Sequence, residues 1–449
     1  MPVLCLASGI AVGRVMPFPW LLAALAVLLV TTWLTGHWPR LQSVGIWLCF
    51  VVLGMTVAPG EEQQVADGVW TEAVVATAPS DRPKTVMVEL LLPSTGERRR
   101  CFLTKPWPTQ AIGSNLLVRI HDGCFIGRDD WQPGGDGFNH LSRLQRLRLR
   151  ALLWRQHVAD RLLAGDDANH EALAVLSAMA LGDKSALTKE LRDTYAVSGA
   201  SHILALSGLH LGIIYMLLTF LTMGRRRSWL VQVLLVLAMW TFALLTGLST
   251  SILRAAIMIT VYSLFALGGR RHASLGVLSF TALIMLLADS RSLFDVGFQL
   301  SFMSMLGILL FVPLMERFTS VKWMMSHPVA RWLFGLMAVS LAAQLCTAPI
   351  VAYYFGRFPT WFLLTNLLVV PMATVILFGT LLTLAVPLFA GVLLWLVGCM
   401  NTMLTWVASL PLASIEGLHP SLLQVAMIYV VIAVAYIMVH LACSPGRRR

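Results

Sequence analysis

The chain has 449 residues, of which 57% are hydrophobic and only 12% are charged, and its formal net charge is +11. A soluble protein of this length could not bury so much apolar side chain, and soluble domains normally carry about 25% charged residues. The composition excludes a disordered chain, a coiled coil and a disulfide-stapled secreted domain, and it predicts a multi-pass α-helical membrane protein.

Residues 1–58 contain three apolar runs that predict two or three N-terminal membrane spans. The runs cover residues 3–12, 20–34 and 44–57. The first is shorter than the roughly 17–25 residues that a span requires, so it is expected to be a tilted, interrupted helix or an interfacial one.

Residues 59–136 are more polar and predict a small extracytoplasmic β-barrel or β-sandwich. Short alternating runs are separated by turn residues, as in a sheet of five short strands. These runs lie near residues 68–78, 84–92, 98–103, 115–121 and 123–127. Cys101 and Cys124 belong to this unit. In an oxidising compartment they form either one disulfide or two free thiols.

Residues 137–200 predict a basic amphipathic helix followed by two soluble helices. Six arginines lie between Leu141 and Arg161, and most leucines of the same segment lie on another face. Such a helix suits the surface of anionic lipid headgroups. The two soluble helices are expected near residues 170–181 and 188–197.

Residues 201–443 contain nine apolar segments and predict nine spans, which brings the total to about 11–12. Residues 194–449 carry fourteen basic residues, eleven of which fall in four clusters. The clusters are Arg225–Arg227, Arg270 with Arg271, the loop with Arg317, Lys322 and Arg331, and Arg447–Arg449. The positive-inside rule places these clusters and the C-terminus in the cytoplasm, and residues 59–200 outside. The positive charge of this region is therefore explained mainly by membrane topology.

A polar segment around His202, Ser207 and His210 begins the first of these nine spans. On a single helix the two histidines lie roughly 80° apart and could line one cavity. Three interpretations remain open: polar helix packing, a pore lining for a charged solute, and a serine nucleophile with His210 as its base. The last is the weakest, because a pair at i and i+3 on one helix rarely aims a hydroxyl at an imidazole. No metal site is expected, since HExxH and HxHxDH patterns are absent from the sequence.

Five further polar residues lie in the later spans and predict a cavity at membrane depth. Arg254 lies one turn into its span, where it either snorkels outward or faces an anion in a wet cavity. Proline interrupts two of the other spans, as in helices that line a polar conduit. The five residues are Arg254, Asp295, Gln299, Gln344 and Asn366.

These motifs together resemble the ComEC competence family. The resemblance implies an inner-membrane channel that takes up single-stranded DNA in natural transformation, with an outer OB-like domain. It also assigns the eight polar residues named above to channel lining or DNA contact. The motifs that carry it are Leu181–Asp183, Gly199–His202, Leu204–His210, Ser251–Ala255, Asp295–Ser301 and Asn366–Pro371.

The sequence departs from this family at its end. Full-length members continue into a metallo-β-lactamase-like nuclease domain, whereas this sequence stops at Arg449. We therefore expect a channel portion that is not an enzyme and holds no cofactor. The implied partners are single-stranded DNA, membrane lipids, a separate nuclease, a DNA receptor, a cytoplasmic ATP-driven motor and a second copy of the chain.

Two other functions remain alternatives to a DNA channel. A secondary transporter of a small anionic solute would share the broken helices, and an intramembrane hydrolase would use Ser207 as its nucleophile. A strand-binding face on the β unit would use aromatic residues, although core packing explains most of them equally well. The candidates are Trp70, Phe102, Trp107 and Phe125.

Overall fold

The structure is a computed structural model, and it describes fifteen stretches of the chain. They are residues 1–15, 20–34, 39–58, 68–77, 79–81, 84–94, 98–105, 112–121, 124–163, 169–184, 186–222, 228–267, 274–319, 326–385 and 387–443. Several residues singled out in the sequence lie outside these stretches. They are Arg225–Arg227, Arg270, Arg271, Lys322, Arg447–Arg449 and Trp107.

Three helices form the N-terminal region: α1 (Pro2–Val15), α2 (Leu21–Leu34) and α3 (Pro39–Val57). Helices α1 and α3 cross closely, since a Cβ atom at Gly9 would collide with the carbonyl oxygen of Val51. Small residues allow such crossings in membranes. Leu6 is fully buried in a cluster with Met285, so α1 packs against later helices along its length.

The described residues of the β unit form seven strands in one sheet. They are β1 (Trp70–Val75), β2 (Ser80–Asp81), β3 (Thr85–Leu91), β4 (Arg98–Thr104), β5 (Asn115–Arg119), β6 (Phe125–Ile126) and β7 (Trp131–Pro133). The main order is β6-β4-β3-β1-β5-β7, and β2 pairs with β3. All pairs are antiparallel except β4–β6, and a bridge between His121 and Phe125 links the end of β5 to β6. One side of this sheet encloses an apolar cluster that includes Val88, Leu103 and Leu116.

Two helices follow the sheet: α4 (Gly137–His140) and α5 (Arg143–Leu163). Helix α5 is the predicted basic helix, and its apolar face packs against the sheet. Its Leu149 and Leu152 share a second apolar cluster with Val74 and Leu91 of the sheet. Helix α5 thus covers the side of the sheet that faces away from the first cluster.

Three shorter helices come next: α6 (His170–Leu181), α7 (Lys189–Val197) and α8 (Ser201–Leu204). The predicted helices at residues 170–181 and 188–197 are confirmed as α6 and α7, but α6 is not exposed: every residue from Ala172 to Met179 is buried. This helix belongs to the largest apolar cluster of the protein, together with Ile376 and Met400 of the later spans. A helix that is apolar on all sides is buried on all sides, whatever its length.

Nine apolar helices complete the part of the chain that the structure describes. They are α9 (Gly208–Leu221), α10 (Trp229–Leu245), α11 (Thr250–Leu267), α12 (Ser274–Ala288), α13 (Val296–Glu316), α14 (Pro328–Phe355), α15 (Phe362–Ala385), α16 (Ala390–Ser409) and α17 (Leu422–Ala442). Within the described residues, α13 to α17 are the five helices long and apolar enough to cross a membrane. The protein is therefore a helical membrane protein. The other apolar helices are shorter, so the total of about 11–12 spans stays a prediction.

A short antiparallel pair, β8 (Arg357–Pro359) with β9 (Ser414–Glu416), joins the turn after α14 to the turn after α16. The C-terminal ends of these two helices therefore lie at the same end of the helix bundle. Thr360 strengthens this junction by donating its hydroxyl to the carbonyl of Leu412. The pair fixes the position at which α15 and α17 begin.

Candidate functional site

The polar segment at Ser207 and His210 lies at a break between two helices. Helix α8 ends at Leu204, Ala205 is extended, and Ser207 is the N-cap of α9. The continuous helix expected from the sequence is wrong here, and with it the angle of roughly 80° between the histidines. The physical reason is capping: Ser207 accepts the Leu209 amide at 3.2 Å, and His210 Nδ1 accepts the Ser207 amide at 3.2 Å.

The break brings the Ser207 hydroxyl to the His210 imidazole. Their Oγ and Nδ1 atoms are 3.0 Å apart. The expectation that this pair would point apart is wrong, because Ser207 lies before the helix and folds back over its first turn. His210 is 1% exposed, and its Nε2 has no hydrogen-bond partner among the described residues. A buried ring nitrogen of this kind needs water or a ligand.

His202 lies on the other side of the break, in α8. Its Nδ1 is 3.2 Å from the carbonyl oxygen of Gly199. The side chain is exposed. It is also near enough to His210 for the two imidazoles to interact electrostatically. His202 therefore lies at the surface next to the helix break.

Arg254 is 2% exposed and contacts the start of α13. Its Nη2 donates to Ser251 Oγ at 2.8 Å, and its Nη1 is 3.8 Å from Asp295 Oδ1. Asp295 is also the N-cap of α13, since Oδ1 accepts the Phe298 amide at 2.7 Å. Gly297 lies beside this contact, because a Cβ atom there would be 3.0 Å from Asp295 Oδ1 and 3.6 Å from Arg254 Nη2. The structure thus joins Arg254 and Asp295 in one ionic contact.

The two polar pairs are neighbours through α11. A Cβ atom at Gly208 would be 3.6 Å from that of Ala255, the residue after Arg254. Helices α9, α11 and α13 therefore all begin beside Arg254, at one end of the bundle. Each helix N-terminus carries partial positive charge, so this end attracts anions.

Among the described residues, the side chains of the other predicted positions make hydrogen bonds elsewhere or none, although the Gln299 amide donates to the Asp295 carbonyl at 3.0 Å. Gln299 Nε2 donates to the carbonyl of Leu293 at 3.0 Å and ties α13 to the 3-10 helix Ser290–Phe294. Gln344 Nε2 in α14 and Asn366 Oδ1 in α15 are buried without a hydrogen-bond partner among the described residues. Such atoms indicate that α14 and α15 border internal water or a ligand.

Two buried hydrogen bonds of the same region involve residues that the sequence did not single out. Tyr195 Oη donates to Asn401 Oδ1 at 2.7 Å, and Thr365 Oγ1 donates to the Ser198 carbonyl at 2.8 Å. These bonds hold α7 and the segment before α8 against α15 and α16. Asn401 also borders a cleft of about 680 Å³ between α6 and α16. No local pattern signals these pairs, because their members are 206 and 167 residues apart.

Basic residues connect the β unit to this end of the bundle. Arg148 of α5 donates to the carbonyls of Gly247 and Leu248, and Arg155 donates to that of Thr246. Both arginines thus satisfy carbonyls after the end of α10, where cations are favourable. Two arginines of α5 therefore dock a helix end, which corrects the view of α5 as a headgroup-binding helix only.

The electrostatic environment of α5 reflects this docking. Burial, and then nearby Arg98 of the sheet, lower the pKa of Arg148 to about 9. Burial also lowers the pKa of Arg155, which Asp183 partly offsets. Asp183 follows Gly182, where a Cβ atom would collide with Leu206. A series of neighbouring charges therefore leads from the sheet to the helix break.

The side of the sheet that α5 packs on also carries exposed aromatic and basic residues. Phe102 and Phe125 have ring centroids 5.9 Å apart, and Phe125 is exposed. Arg100 pairs with Glu89 at 2.9 Å on the same side. Trp70 stacks under the Arg119 guanidinium, 4.9 Å from its ring centroid.

Cys101 lies in β4, and Cys124 immediately precedes the neighbouring strand β6. The Phe102 amide donates to the Cys124 carbonyl at 2.8 Å. Both are free thiols in the structure. Burial, and then Cys124, raise the pKa of Cys101 to about 12. The disulfide stays a prediction. In the parts of the chain that the structure describes, no group of three His, Cys, Asp or Glu side chains is arranged for a metal ion.

The fold and the site define a helical membrane protein whose polar interior lies where helices break and begin. Residues 179–441, more than half of the chain, match the family described as Competence protein. The chain belongs to this family. The matched region includes every polar motif of the membrane part and excludes the β unit.

Curated relatives show the same similarity. The chain is 29% identical to ComE operon protein 3 of Bacillus subtilis over 251 residues, which is 54% of this chain and 30% of that protein. It is 31% identical over 198 residues to an uncharacterized protein of Aquifex aeolicus, covering 44% of each chain. It is 24% identical over 211 residues to the uncharacterized protein YcaI of Escherichia coli, covering 45% and 28%.

The chain therefore spans less than half the length of each of these relatives. No solved structure matches it.

Proposed function

We propose that the protein is a conduit through which single-stranded DNA crosses the bacterial inner membrane during natural transformation. Membership of the Competence protein family supports a role in DNA uptake. The observation that carries the proposal is Arg254, a buried cation at the point where α9, α11 and α13 begin. Phosphodiesters are anions, and helix N-termini with an arginine are suited to bind them.

The polar interior supports a conduit in preference to a closed bundle. His210, Gln344, Asn366 and Arg254 each have a buried nitrogen or oxygen atom without a partner among the described residues. In a dry bundle each such atom would cost on the order of 1–3 kcal/mol. A water-filled passage supplies partners to all four, and His202 already borders accessible space.

The β unit is proposed to be an OB-like barrel that receives the strand. OB-folds are five-stranded Greek-key barrels that bind oligonucleotides on the face of their second and third strands. Here β1, β3, β4, β5 and β6 take the five places, and the bridge at His121 and Phe125 brings β5 and β6 together. The binding face would then hold Phe102 and Arg100 of β4, where bases stack and phosphates pair.

The proposed orientation follows from the charges and from the docking of α5. The basic clusters in the sequence support a cytoplasmic C-terminus by the positive-inside rule. Helix α5 contacts the other end of the bundle at Gly247, and the β unit packs on α5. A separate nuclease, a DNA receptor, an ATP-driven motor and a second copy of the chain are proposed partners. We propose no enzymatic activity for this chain itself.

The test replaces the gene in its own host with variants and measures uptake of labelled DNA and the yield of transformants. We expect Arg254→Ala and His210→Ala to abolish both, with the amount of protein in the membrane unchanged. The matched control is Arg331→Ala, because Arg331 is exposed in α14. Normal uptake in both site variants would refute the proposal. Transport of labelled phosphate into vesicles, insensitive to DNA, would favour the anion transporter instead.

One contact favours a second candidate, an intramembrane hydrolase. Ser207 Oγ lies 3.0 Å from His210 Nδ1, which is within reach of general-base catalysis. Against it, the same Nδ1 accepts the Ser207 amide, and no carboxylate contacts His210 among the described residues. A serine-reactive fluorophosphonate probe distinguishes the two functions: labelling lost in Ser207→Ala would support the hydrolase, and absence of labelling would remove it.

A further inference from the structure

The ionic pair of Arg254 and Asp295 is strongly asymmetric. The side chain of Arg254 is 3% exposed and that of Asp295 is 48% exposed. Their closest atoms are 3.8 Å apart, which is longer than a hydrogen bond, and Arg254 Nε has no partner among the described residues. The cation is thus fixed in the interior and incompletely neutralised, while its counter-ion lies at the rim.

The Asp295 carboxylate occupies a binding position suited to an oxyanion, which we call the seat. The seat is formed by the Arg254 guanidinium, the Phe298 amide and Gly297. One of the carboxylate oxygens, Oδ1, both accepts the Phe298 amide at 2.7 Å and faces the Arg254 guanidinium. Gly297 keeps the space open, since a Cβ atom there would be 3.0 Å from that oxygen. An arginine and the first-turn amides of a long helix are the groups that bind phosphate oxygens.

We propose that Asp295 is a resident counter-ion which a phosphate oxyanion displaces from this seat. The phosphate would take the place of the carboxylate against Arg254 and the amide of Phe298, while the exposed Asp295 side chain turns outward. The inference rests on the proposed function, which makes the phosphodiesters of a passing strand the source of the oxyanion. Free inorganic phosphate is the other source of the same chemistry.

Such an exchange suits a conduit. A seat that binds each phosphate tightly would stop the strand, and conduction needs sites that ligands enter and also leave. Because Asp295 competes for the seat, it lowers the affinity for each phosphate and returns when the phosphate leaves. Arg254 is therefore never left buried without an anion, a state that is costly in a low-dielectric interior.

The first experiment measures the Tm of the full-length purified protein in potassium phosphate and in potassium chloride of equal ionic strength. We expect Asp295→Asn, which keeps an N-cap residue, to lower the Tm in chloride and phosphate to restore it. The matched control is Asp289→Asn. Asp289 caps the adjacent 3-10 helix by accepting the Arg291 amide, so its variant should respond to phosphate only as the wild type does. Asp295→Ser provides a second cap-retaining variant.

Phosphate should no longer restore the Tm in Arg254→Gln/Asp295→Asn, because the seat has lost its cation. An equal response of Asp295→Asn, Asp295→Ser and Asp289→Asn to phosphate would overturn the proposal, since it would reduce the effect to general salt stabilisation.

The second experiment identifies the source of the oxyanion by the binding of a short oligothymidylate and of its uncharged methylphosphonate analogue. We expect Asp295→Asn to bind the oligothymidylate about three to ten times more tightly than the wild type, corresponding to about 0.7–1.4 kcal/mol, with no gain for the analogue. Restoration of the Tm by phosphate without this gain would assign the seat to free phosphate. If the protein is not a DNA conduit, the uptake experiment described above shows it as normal DNA uptake in Arg254→Ala.

Discussion

The hydroxyl group of Tyr195 donates a 2.7 Å hydrogen bond to Asn401 Oδ1, although 206 residues separate the two positions. Tyr195 is fully buried, and burial raises the pKa of its hydroxyl above the ordinary value, so it stays a donor. This single bond ties α7, which precedes the helix break, to the middle of α16. The bond therefore fixes the position of α7, and of the segment that follows it, against α16.

We expect Tyr195→Phe to lower the free energy of unfolding by about 1–3 kcal/mol, because Asn401 loses its donor inside the protein. Thermal unfolding of the purified protein measures the change, and Tyr262→Phe is the control because Tyr262 is exposed. Adding Asn401→Leu to Tyr195→Phe should recover part of the loss, since both polar partners are then gone. Equal Tm values for the two tyrosine variants would contradict the prediction.

We expect Arg148→Gln to loosen α5 from the end of α10. The variant removes the donor to Gly247 and Leu248, and a hydrogen bond from a charged group contributes about 1.5–3 kcal/mol. Limited proteolysis between the β unit and the bundle, together with the Tm, reports the change. Arg150→Gln is the matched control, because Arg150 is exposed on the same helix. Comparable cleavage of both variants would show that docking does not depend on Arg148.

We expect Gly182→Ala to distort the helix break and to reduce DNA uptake. Gly182 has φ +74°, and a Cβ atom there would collide with Leu206, the residue before Ser207. The left-handed conformation alone costs a side chain roughly 1–2 kcal/mol. Gly212→Ala in α9 is the control, since a Cβ atom there meets nothing within 4 Å and alanine favours a helix. Gly182→Ala/Leu206→Ala should relieve the collision but not the backbone strain.

We expect the Cys101 thiol to resist alkylation far above neutral pH. Its pKa is raised to about 12, mainly by burial, so little thiolate exists until the pH approaches that value. Because the unfolded thiol has the lower pKa, it releases its proton first, and this group lowers stability as the pH rises from about 9 to 12.

Mass-spectrometric tagging of the native protein, without reductant, measures the reactivity of both cysteines. Free thiols predict that the partly exposed Cys124 reacts well before Cys101. The predicted disulfide would instead leave both untagged until reduction. Tagging of Cys101 at pH 8 as fast as that of Cys124 would contradict the raised pKa.

The sequence predicts five of the seven described strands of the β unit, but not β2, β7 or the helix break. Alternation of apolar and polar residues located β3 and β5 because one side of each strand faces the apolar cluster. At Ala205–Ser207 the apolar periodicity continues without interruption. The break is decided by capping at Ser207 and by the packing of Leu206 on Gly182, which lies in another element.

The roles of α5 and α6 illustrate the same limit. An arginine-rich amphipathic helix has one pattern whether it meets headgroups or the end of another helix, and the acceptors of Arg148 lie about 100 residues later. Helix α6 is 12 residues long and lies between polar segments, so its length suggested a soluble helix. Its burial depends on α15 and α16, which no local pattern reveals.

The second apolar cluster, between the sheet and α5, determines how the outer part of the protein can be produced separately. A fragment ending near residue 136 would leave Val74, Leu91 and Ile112 uncovered and is expected to aggregate. A fragment continued through Leu163 retains Leu149 and Leu152 over this surface. The autonomous unit for crystallisation or antibody selection is therefore the sheet together with its long helix.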